Sequence, residues 1–465
     1  MMTLPHDIEA LQTLVRQLLE ENQALKAEIA ALKAQLKTDS HNSHKPPSSD
    51  GLRKRPRPAL PKDTTRKQGG QPGHRGKTLS MVAQPDHVIP CKPAVCMCGH
   101  SFQETPGTVL ERRQVFDLPE PKLEVTEYRR LRCQCPSCGR VHEGHFPSHV
   151  SAPVQYGPGV LAFGTLCNNA YMLPFKKIQR LFTDVFGYAI NERTLERANI
   201  RCAELAAPRY AAIKAQLQRS PVCHCDETGV RVNGTLHWQH VVSTASATYL
   251  CVHTTRGKDA LESSHSVLPG YRGWALHDCW SSYFGLTTCR HALCGAHLLR
   301  ELTGVAEQGS RWAIQMHRFL LTLYHHADNG NGTITHFHRW SALYDRICHR
   351  ANQEEPPPKR RHRKGKATRT KGCNLLARLM TYKAAVLAFA QHTEVPFTNN
   401  QAERDLRPTK VKQKISGCFR TFDGANRYAH ISSIISTARK QDRHVFKELR
   451  SLFVGNSFFT STCPC

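Results

Sequence analysis

The apolar positions along this chain change period several times, and each change marks a different kind of element. Residues 4 to 36 carry an unbroken heptad, with Ile8, Val15, Asn22, Ile29 and Leu36 at one seam position and Leu4, Leu11, Leu18, Leu25 and Leu32 at the other. β-Branched residues at a with leucine at d favour a parallel two-stranded coiled coil, and one Asn at a central a position fixes register at some cost in stability. The pattern predicts a dimerisation helix over residues 1–37, with Leu11, Val15, Leu18, Asn22, Leu25, Ile29 and Leu32 in its seam and Asn22 facing its symmetry mate. An amphipathic helix docked on its own domain is the alternative.

From Thr38 to Leu79 the periodicity stops. Pro, Gly, Ser and basic residues take over, as in Lys45-Pro46-Pro47-Ser48-Ser49-Asp50-Gly51 and Gly69-Gly70-Gln71-Pro72-Gly73-His74, and such a segment buries no core. The cluster Arg53, Lys54, Arg55, Arg57, Lys62, Arg66, Lys67, Arg75 and Lys77 faces few acids. Residues 38–84 therefore read as a flexible basic arm able to lie along DNA phosphates, with a merely solvated linker as the plainer alternative.

A cysteine-bearing module follows over 85–150, then a helical linking or DNA-binding region over 151–220, where Ile178, Leu181, Phe182, Val185 and Phe186 fall near helical spacing. From Val222 the period shortens to that of a strand. Gly229 to Trp238 alternates around Asn233-Gly234, the strongest short hairpin signal, and Thr248 to Thr254 supplies another strand, so a sheet begins here. The run Lys359-Arg360-Arg361-His362-Arg363-Lys364-Gly365-Lys366 follows three prolines, contains no acid and reads as an exposed basic loop. No internal repeat is visible.

Composition narrows the class. A chain of 465 residues with 40% hydrophobic content holds a large core with residues left for smaller modules, so two to four domains are expected. Against 37 Asp and Glu stand 64 Lys and Arg, a net charge of +27. That excess points to a polyanion, nucleic acid first, because binding releases condensed counterions. A membrane-surface protein would also need an amphipathic anchor or lipidation signal, and none is found. The N-terminus lacks a charged region followed by an apolar run, and no apolar stretch is long enough to span a bilayer. A cytoplasmic protein is expected, and its 19 cysteines are read as reduced thiols, some of them metal ligands.

Cys96-Met97-Cys98-Gly99 and Cys135-Pro136-Ser137-Cys138-Gly139 form two short clusters separated by strand-like sequence. This is the arrangement of a zinc ribbon, in which two knuckles supply four thiolates to a structural Zn²⁺. Cys96, Cys98, Cys135 and Cys138 are the expected ligands; the first knuckle is one residue short, so Cys91, His100 or Cys133 could replace one, with His142 and His145 close by.

Three acids stand at element ends. Asp226 lies at the end of the first expected strand, Asp278 where the short apolar strand Trp274-Ala275-Leu276-His277 gives way to a polar turn, and Glu403 at a helix start capped by Asn399 or Asn400. Two-metal phosphoryl transfer needs a few convergent carboxylates, since hard cations prefer oxygen. Spacing alone does not show that these three converge. Singly, Asp226 reads as a turn residue, Asp278 as a helix cap and Glu403 as a partner of Arg407.

Four ordered blocks change that: Val154-Gln155-Tyr156-Gly157-Pro158; His224-Cys225-Asp226-Glu227-Thr228-Gly229; Cys289 to Leu302, including Cys294-Gly295-Ala296-His297-Leu298-Leu299-Arg300-Glu301; and Pro396 to Arg407, including Thr398-Asn399-Asn400-Gln401-Ala402-Glu403-Arg404. With the two arm segments quoted above, they make the chain resemble the large transposase of the insertion-sequence 66 family, from the leucine-rich start to about residue 455. The resemblance implies a multidomain α+β protein: the coiled coil, the basic arm, a zinc-ribbon-like module and the helical region are followed by a ribonuclease-H-like catalytic core. That core would span residues 221–425 with a helical insertion at about 295–395, and a C-terminal helical segment and tail would follow at 426–465. It implies DDE catalysis by Asp226, Asp278 and Glu403 holding two Mg²⁺ (or Mn²⁺) ions, and a zinc-binding role for the cysteine module. It also implies a basic segment near DNA containing Lys410, Lys412, Gln413, Lys414 and Arg420, for which a solvated helix face is the alternative.

The expected activity is cleavage and strand transfer of an insertion sequence in the bacterial cytosol, close to the nucleoid. The partners would be DNA (element ends and target), a second copy or higher oligomer through the coiled coil, and small accessory proteins of the element. A transposase-derived regulator without chemistry, or a nuclease without strand transfer, are the rivals. Within the insertion, Cys294 and His297 read either as a second metal site or as a packing contact; the compressed first knuckle and the tail Cys463-Pro464-Cys465 depart from the family pattern.

Overall fold

The computed structural model describes residues 7–36, 42–43, 79–147, 150–329, 334–356 and 369–454. It comprises two units, residues 52–126 and residues 1–51 with 127–465. In the smaller unit the described chain, from residue 79, is extended and exposed. Its one bridge among the described residues, Val95 to Ser101, closes a tight turn in which Cys96 N–H donates to the His100 carbonyl and Gly99 N–H to the Cys96 carbonyl, both at 2.8 Å. Gly99 sits at φ +90°, a conformation that favours glycine.

In the larger unit, α1 (Ile8–Leu36) is a continuous helix, and a small hairpin of β1 (Arg132–Gln134) and β2 (Val141–Glu143) follows. Next come α2 (Pro158–Asn169), α3 (Phe175–Phe186), α4 (Glu192–Gln218), β3 (Val222–Val232), β4 (Thr235–Ser243), β5 (Thr248–His253), α5 (Lys258–Leu261), β6 (Trp274–His277) and β7 (Arg290–Leu293). Helices α6 (Gly295–Ala306), α7 (Arg311–Asn329), α8 (Phe337–Glu354), α9 (Lys371–Thr381), α10 (Lys383–Val386) and α11 (Ala388–Gln391) form one helical block. The described chain ends with α12 (Asn400–Ser416), α13 (Phe422–Lys440) and α14 (Val445–Val454).

The main sheet has the order β5-β4-β3-β6-β7, antiparallel across β5-β4-β3 and parallel across β3-β6-β7. The β3-β4 turn bears out the hairpin reading. Asn233 and Gly234 both have positive φ, +47° and +79°, as a two-residue type I′ turn requires. Strand β5 is an edge, and its outward N–H groups do not go unpaired: Thr248 N–H donates to Thr437 Oγ1 at 3.0 Å and Leu250 N–H to Ser433 Oγ at 2.9 Å. Helix α13 thus covers an edge that would otherwise invite pairing.

Alternation sends the two sides of β3 and β6 into different cores. Cys223, Cys225 and Ala275 pack with α2, α4, α13 and α14, through Ala162, Cys202, Ala206, Leu217, Ile431 and Leu449. Trp274 and Leu276 face the helical block and pack with Leu298, Trp312, Leu320, Tyr344 and Leu379. Further along β3, Val230 and Val232 bury Ala402 and Leu406 of α12 and Ala425 and Ala429 of α13. Packing runs across positions 220 and 425, through the first and the last of these clusters respectively. Helix α4 covers the sheet, and position 425 lies within α13, whose Lys440 pairs with Asp405 of α12 at 2.7 Å.

On α1, Ile8, Val15, Leu18, Leu25 and Ile29 are exposed, as is Asn22, while Leu11 is half-buried. The helix thus presents an apolar stripe in the seam order. The side chain of Leu32, and all of Arg53, Lys54, Arg55, Arg57, the 359–366 loop and Cys463-Pro464-Cys465, lie outside the described residues.

Candidate active site

Strands β3 and β6 pair in parallel with Val222, Cys223 and His224 opposite Trp274, Ala275 and Leu276. Carried two residues further, the same register sets Asp226 beside Asp278. Asp226 is not at the end of its strand, as the sequence suggested, but mid-way along β3, just past the last residue paired to β6. Its Oδ1 accepts the Glu227 N–H at 2.8 Å, and Asp278 Oδ1 accepts the Trp280 N–H at 2.9 Å, which starts the turn after β6. Asp278 is thus a turn residue and caps no helix. Burial, then the charges of Glu227 and Asp278, push the Asp226 carboxyl up to about 8. Two oxygen donors that repel one another are a poor structural feature and a good cation site.

Glu227, the neighbouring acid, points the other way. Its side chain is 1% exposed, and it accepts from Arg256 Nε and Nη2 at 2.8 and 2.6 Å and from the Tyr283 hydroxyl at 2.6 Å. Arg256 in turn lies over the rings of Trp238 and Trp280, at 4.9 and 4.2 Å. Glu227 is an anchor beneath the site. Strand parity alone separates it from Asp226.

Glu403 occupies the first turn of α12. Its Oε1 is 3.3 Å from Arg300 Nη2 and 3.6 Å from His297 Nε2, both on α6; Arg407 is not its partner there. A clasp holds α6 and α12 together: Gly295 N–H donates to the Phe397 carbonyl at 2.8 Å and Asn399 N–H to Cys294 Sγ at 3.1 Å. A Cβ on Gly295 would come within 2.2 Å of the Phe397 ring, so this close approach requires glycine. Burial pulls the His297 imidazole down, but its pairing with Cys294 outweighs that and holds it up to about 9. The Cys294 thiol, pushed up by burial, is drawn below its ordinary value by the same pairing.

Asn399 was read as a candidate cap, and the structure gives it another task. It stands at the N-cap position of α12, but its side chain makes no capping hydrogen bond. Its Nδ2 donates to the Cys225 carbonyl at 2.7 Å and its Oδ1 meets His224 Nδ1 at 3.0 Å, so it ties the Glu403 helix to the Asp226 strand. Only 1% of the residue is exposed. Burial lowers the His224 pKa and this contact opposes it; the imidazole is therefore neutral and paired. The paired asparagines before Glu403 are the sequence signal that could have found this strap.

Among the described residues, no three Asp, Glu, His or Cys side chains converge closely enough to cage an ion. The continued register and the effect of the Asp278 charge on Asp226 set these two acids in one neighbourhood, and Glu403 stands on α12, turned to Arg300 and His297. Cys294 and His297 are a contact pair, with no third ligand among the described residues. The knuckle cysteines occupy two similar turns. Cys135 and Cys138 lie in the β1-β2 turn, where Gly139 N–H donates to the Cys135 carbonyl at 2.9 Å and Gly139 has φ +72°, as Gly99 does for Cys96. Hydrogen bonds from the backbone of Cys98 and of Cys138 draw the Cys96 and Cys135 thiols below their ordinary values.

The basic residues expected near DNA divide. Lys412 is buried, donates to the Asn168 carbonyl at 3.3 Å at the end of α2 and lies 5.1 Å from the Tyr428 ring centre; burial draws its pKa down to about 8. It faces the core and is not available to phosphate. Lys410 is half-buried and donates to the Gly229 carbonyl at 3.0 Å. Lys414 and Arg420 are exposed.

Residues 153–427, more than half of the chain, match the family model described as Transposase IS66 family. The chain belongs to this family. The matched segment of this IS66-family transposase begins just before α2, which agrees with α2 and α4 sharing the sheet's core, and it contains Asp226, Asp278 and Glu403. Residues 2–80 match a second model, described as Family of unknown function (DUF6444). No curated protein matches the chain. Among the described residues no helix is long and apolar enough to cross a membrane.

Proposed function

We propose that the chain cleaves and joins DNA strands as a DDE transposase, with Asp226, Asp278 and Glu403 as its acidic residues. The observation that supports this reading is the register of β3 and β6, which, continued two residues past its last pair, would bring Asp226 next to Asp278, with the helix that bears Glu403 strapped to β3 by Asn399. The sheet order, three antiparallel strands followed by two parallel ones, is the one a ribonuclease-H-like core would have.

The donor chemistry fits Mg²⁺ or Mn²⁺: hard carboxylate oxygens, one of which burial and like charge hold in its protonated range. Asp226 and Asp278 would hold the ions, with Glu403 completing the set. When bound, such ions neutralise charge at the scissile phosphate and make the attacking water more acidic. The protein's own part is positioning. Asn399 and the Cys294–Gly295 clasp fix the Glu403 helix against β3, and Glu227, held by Arg256 and Tyr283, fixes the strand from the other face. In the first step water attacks the phosphorus and the strand's 3′ oxygen leaves with a proton, giving a 3′-hydroxyl and a 5′-phosphate. In the second, that hydroxyl attacks a target phosphodiester in line, loses its proton and displaces the target strand's 3′ oxygen. No covalent enzyme intermediate is required.

Each knuckle offers two thiols of the donor type a structural Zn²⁺ takes, with Cys96 and Cys135 drawn below their ordinary values. The exposed stripe of α1 fits a coiled-coil dimer that would bring two element ends together. The test is strand cleavage and joining by the wild type and by Asp226→Asn, Asp278→Asn and Glu403→Gln. Loss of both steps with DNA binding retained supports the reading, and unchanged cleavage by Asp226→Asn sinks it. Cleavage without joined products would make the protein a nuclease.

A further inference from the structure

Helix α12 sorts its basic residues by face. Lys410 and Lys412 turn inward and donate hydrogen bonds to the carbonyls of Gly229 and Asn168. Arg404, Arg407, Val411, Lys414 and Ile415 are exposed. At 100° per residue they fall on one stripe about 100° wide, and the cations at its ends are about 15 Å apart along the axis. Among the described residues none of the three cations pairs with an acid: Arg404 donates only to Gln401 Oε1, at 2.9 Å, and Arg407 and Lys414 have no hydrogen-bond or ion-pair partner. At the Glu403 end of the stripe, Thr398, Asn400, Glu403, Arg404 and Arg407 line an open polar cavity of about 340 Å³.

We infer that this stripe is the track for the DNA strand entering the site, with Arg404 and Arg407 holding the backbone phosphates nearest Glu403 and Lys414 one farther along. The inference deepens the transposase reading and rests on it. Its length suits the partner, since one strand of B-form DNA presents a phosphate every ~3.4 Å of axis, about four over the stripe. The chemistry suits it as well. Guanidinium groups take phosphate oxygens in pairs, and the exposed Val411 between the cations and Ile415 beyond Lys414 offer a surface to sugars and carry no charge that would compete for phosphate. Charge on the helix as a whole is not the criterion; two of its lysines are already committed to backbone carbonyls.

The test compares the full-length wild type with Arg404→Gln/Arg407→Gln and with Arg346→Gln/Arg350→Gln, an exposed pair on α8 that changes the net charge equally. Binding to a random-sequence DNA duplex is measured as a function of salt. The α12 pair should lower the slope of log K against log salt by about 2, because two phosphate contacts are lost, and should raise the KM for DNA cleavage while leaving kcat nearly unchanged. The α8 pair should alter neither. Arg404→Lys/Arg407→Lys, which keeps the charge, should restore most of the slope. Equal slopes for the two Gln pairs would overturn the track, as would tighter binding of an RNA duplex of the same sequence. Failure of the wild type to cleave, with the slope difference intact, would instead count against the transposase reading alone.

Discussion

Asn399 is where the fold of the site and its chemistry depend most on one side chain. Replacing it by Ala removes the donor to the Cys225 carbonyl and the acceptor beside His224 Nδ1, both inside the protein. Each buried polar group left without a partner costs roughly 1–3 kcal/mol, so the loss should come to about 2–5 kcal/mol. For a core of this size that lowers the melting temperature by about 5–15 °C. Asn400, the next residue, is exposed, and Asn400→Ala should change stability by no more than about 0.5 kcal/mol. Asn399→Asp should be worse than Ala, because it sets a carboxylate oxygen against a carbonyl that needs a donor. The strap also aims Glu403. A misplacement of about 1 Å in a positioned group can cost ~10²-fold in rate, so single-turnover cleavage by the Ala variant, measured well below its melting point, should fall by about that factor. Thermal unfolding and single-turnover cleavage are the two assays. If Asn399→Ala melts with Asn400→Ala and the wild type, the strap carries no energy; if it melts low but cleaves at the wild-type rate, it stabilises the fold without aiming the glutamate.

Three further outcomes follow from the same contacts. Because burial and neighbouring acids push Asp226 up to about 8, folding takes up a proton there. The resulting stability is full below the ordinary carboxylate range and is lost as pH rises through about 8. Melts without divalent cations should therefore weaken toward alkaline pH, and Asp226→Asn should flatten that dependence; an identical slope in the variant would refute the assignment. Tyr283→Phe removes the hydroxyl that donates to buried Glu227 at 2.6 Å and should destabilise by about 1.5–3 kcal/mol in urea melts, whereas no change would mean that Arg256 alone suffices. Asp substitutions at Leu18 and Leu25, exposed on α1 at 54% and 58%, should leave the fold's melting point in place and convert a dimer to monomer in sedimentation; a dimer that survives them has another interface.

The regular elements were legible because their signals are local. The period change at Val222 and the Asn233-Gly234 turn announce β3 and β4, and the hairpin forms as read. Which helices pack on the sheet was not legible. Helix α4 reads as an ordinary amphipathic helix, and nothing local says that Cys202 and Ala206 pack on Cys223 and Cys225. The three acids were singled out by a family resemblance. What the structure adds is the parity of β3, which sends Asp226 to one face and Glu227 to the other, and the partners of Glu403, which come from a helix about a hundred positions earlier.

The basic residues of α12 show the limit most sharply. A strand's alternation allows two faces, and one buried neighbour assigns both. A helix of 17 residues with cations at 404, 407, 410, 412 and 414 spreads them over about 200° of its circumference, and their spacing does not say which side meets the core. The apolar residues that would say so, Ala402 and Leu406, are too few to draw a stripe by themselves. Reading Lys410, Lys412 and Lys414 as one phosphate-binding segment follows naturally from their alternation, which is a strand's logic applied to a helix. At 100° per residue, 412 lies about 160° from 414, while 410 is only about 40° from it, at the margin of the exposed face, and the fold uses 410 and 412 as donors to the carbonyls of Gly229 and Asn168. The residues left facing outward, Arg404, Arg407 and Lys414, share a face because they are three, seven and ten positions apart. Lys412→Gln should therefore cost stability and leave the salt dependence of DNA binding unchanged, while Arg407→Gln should do the reverse, each measured by melting and by salt titration. A Lys412 variant that keeps its melting point but loses salt dependence would mean that the helix turns its other face to DNA.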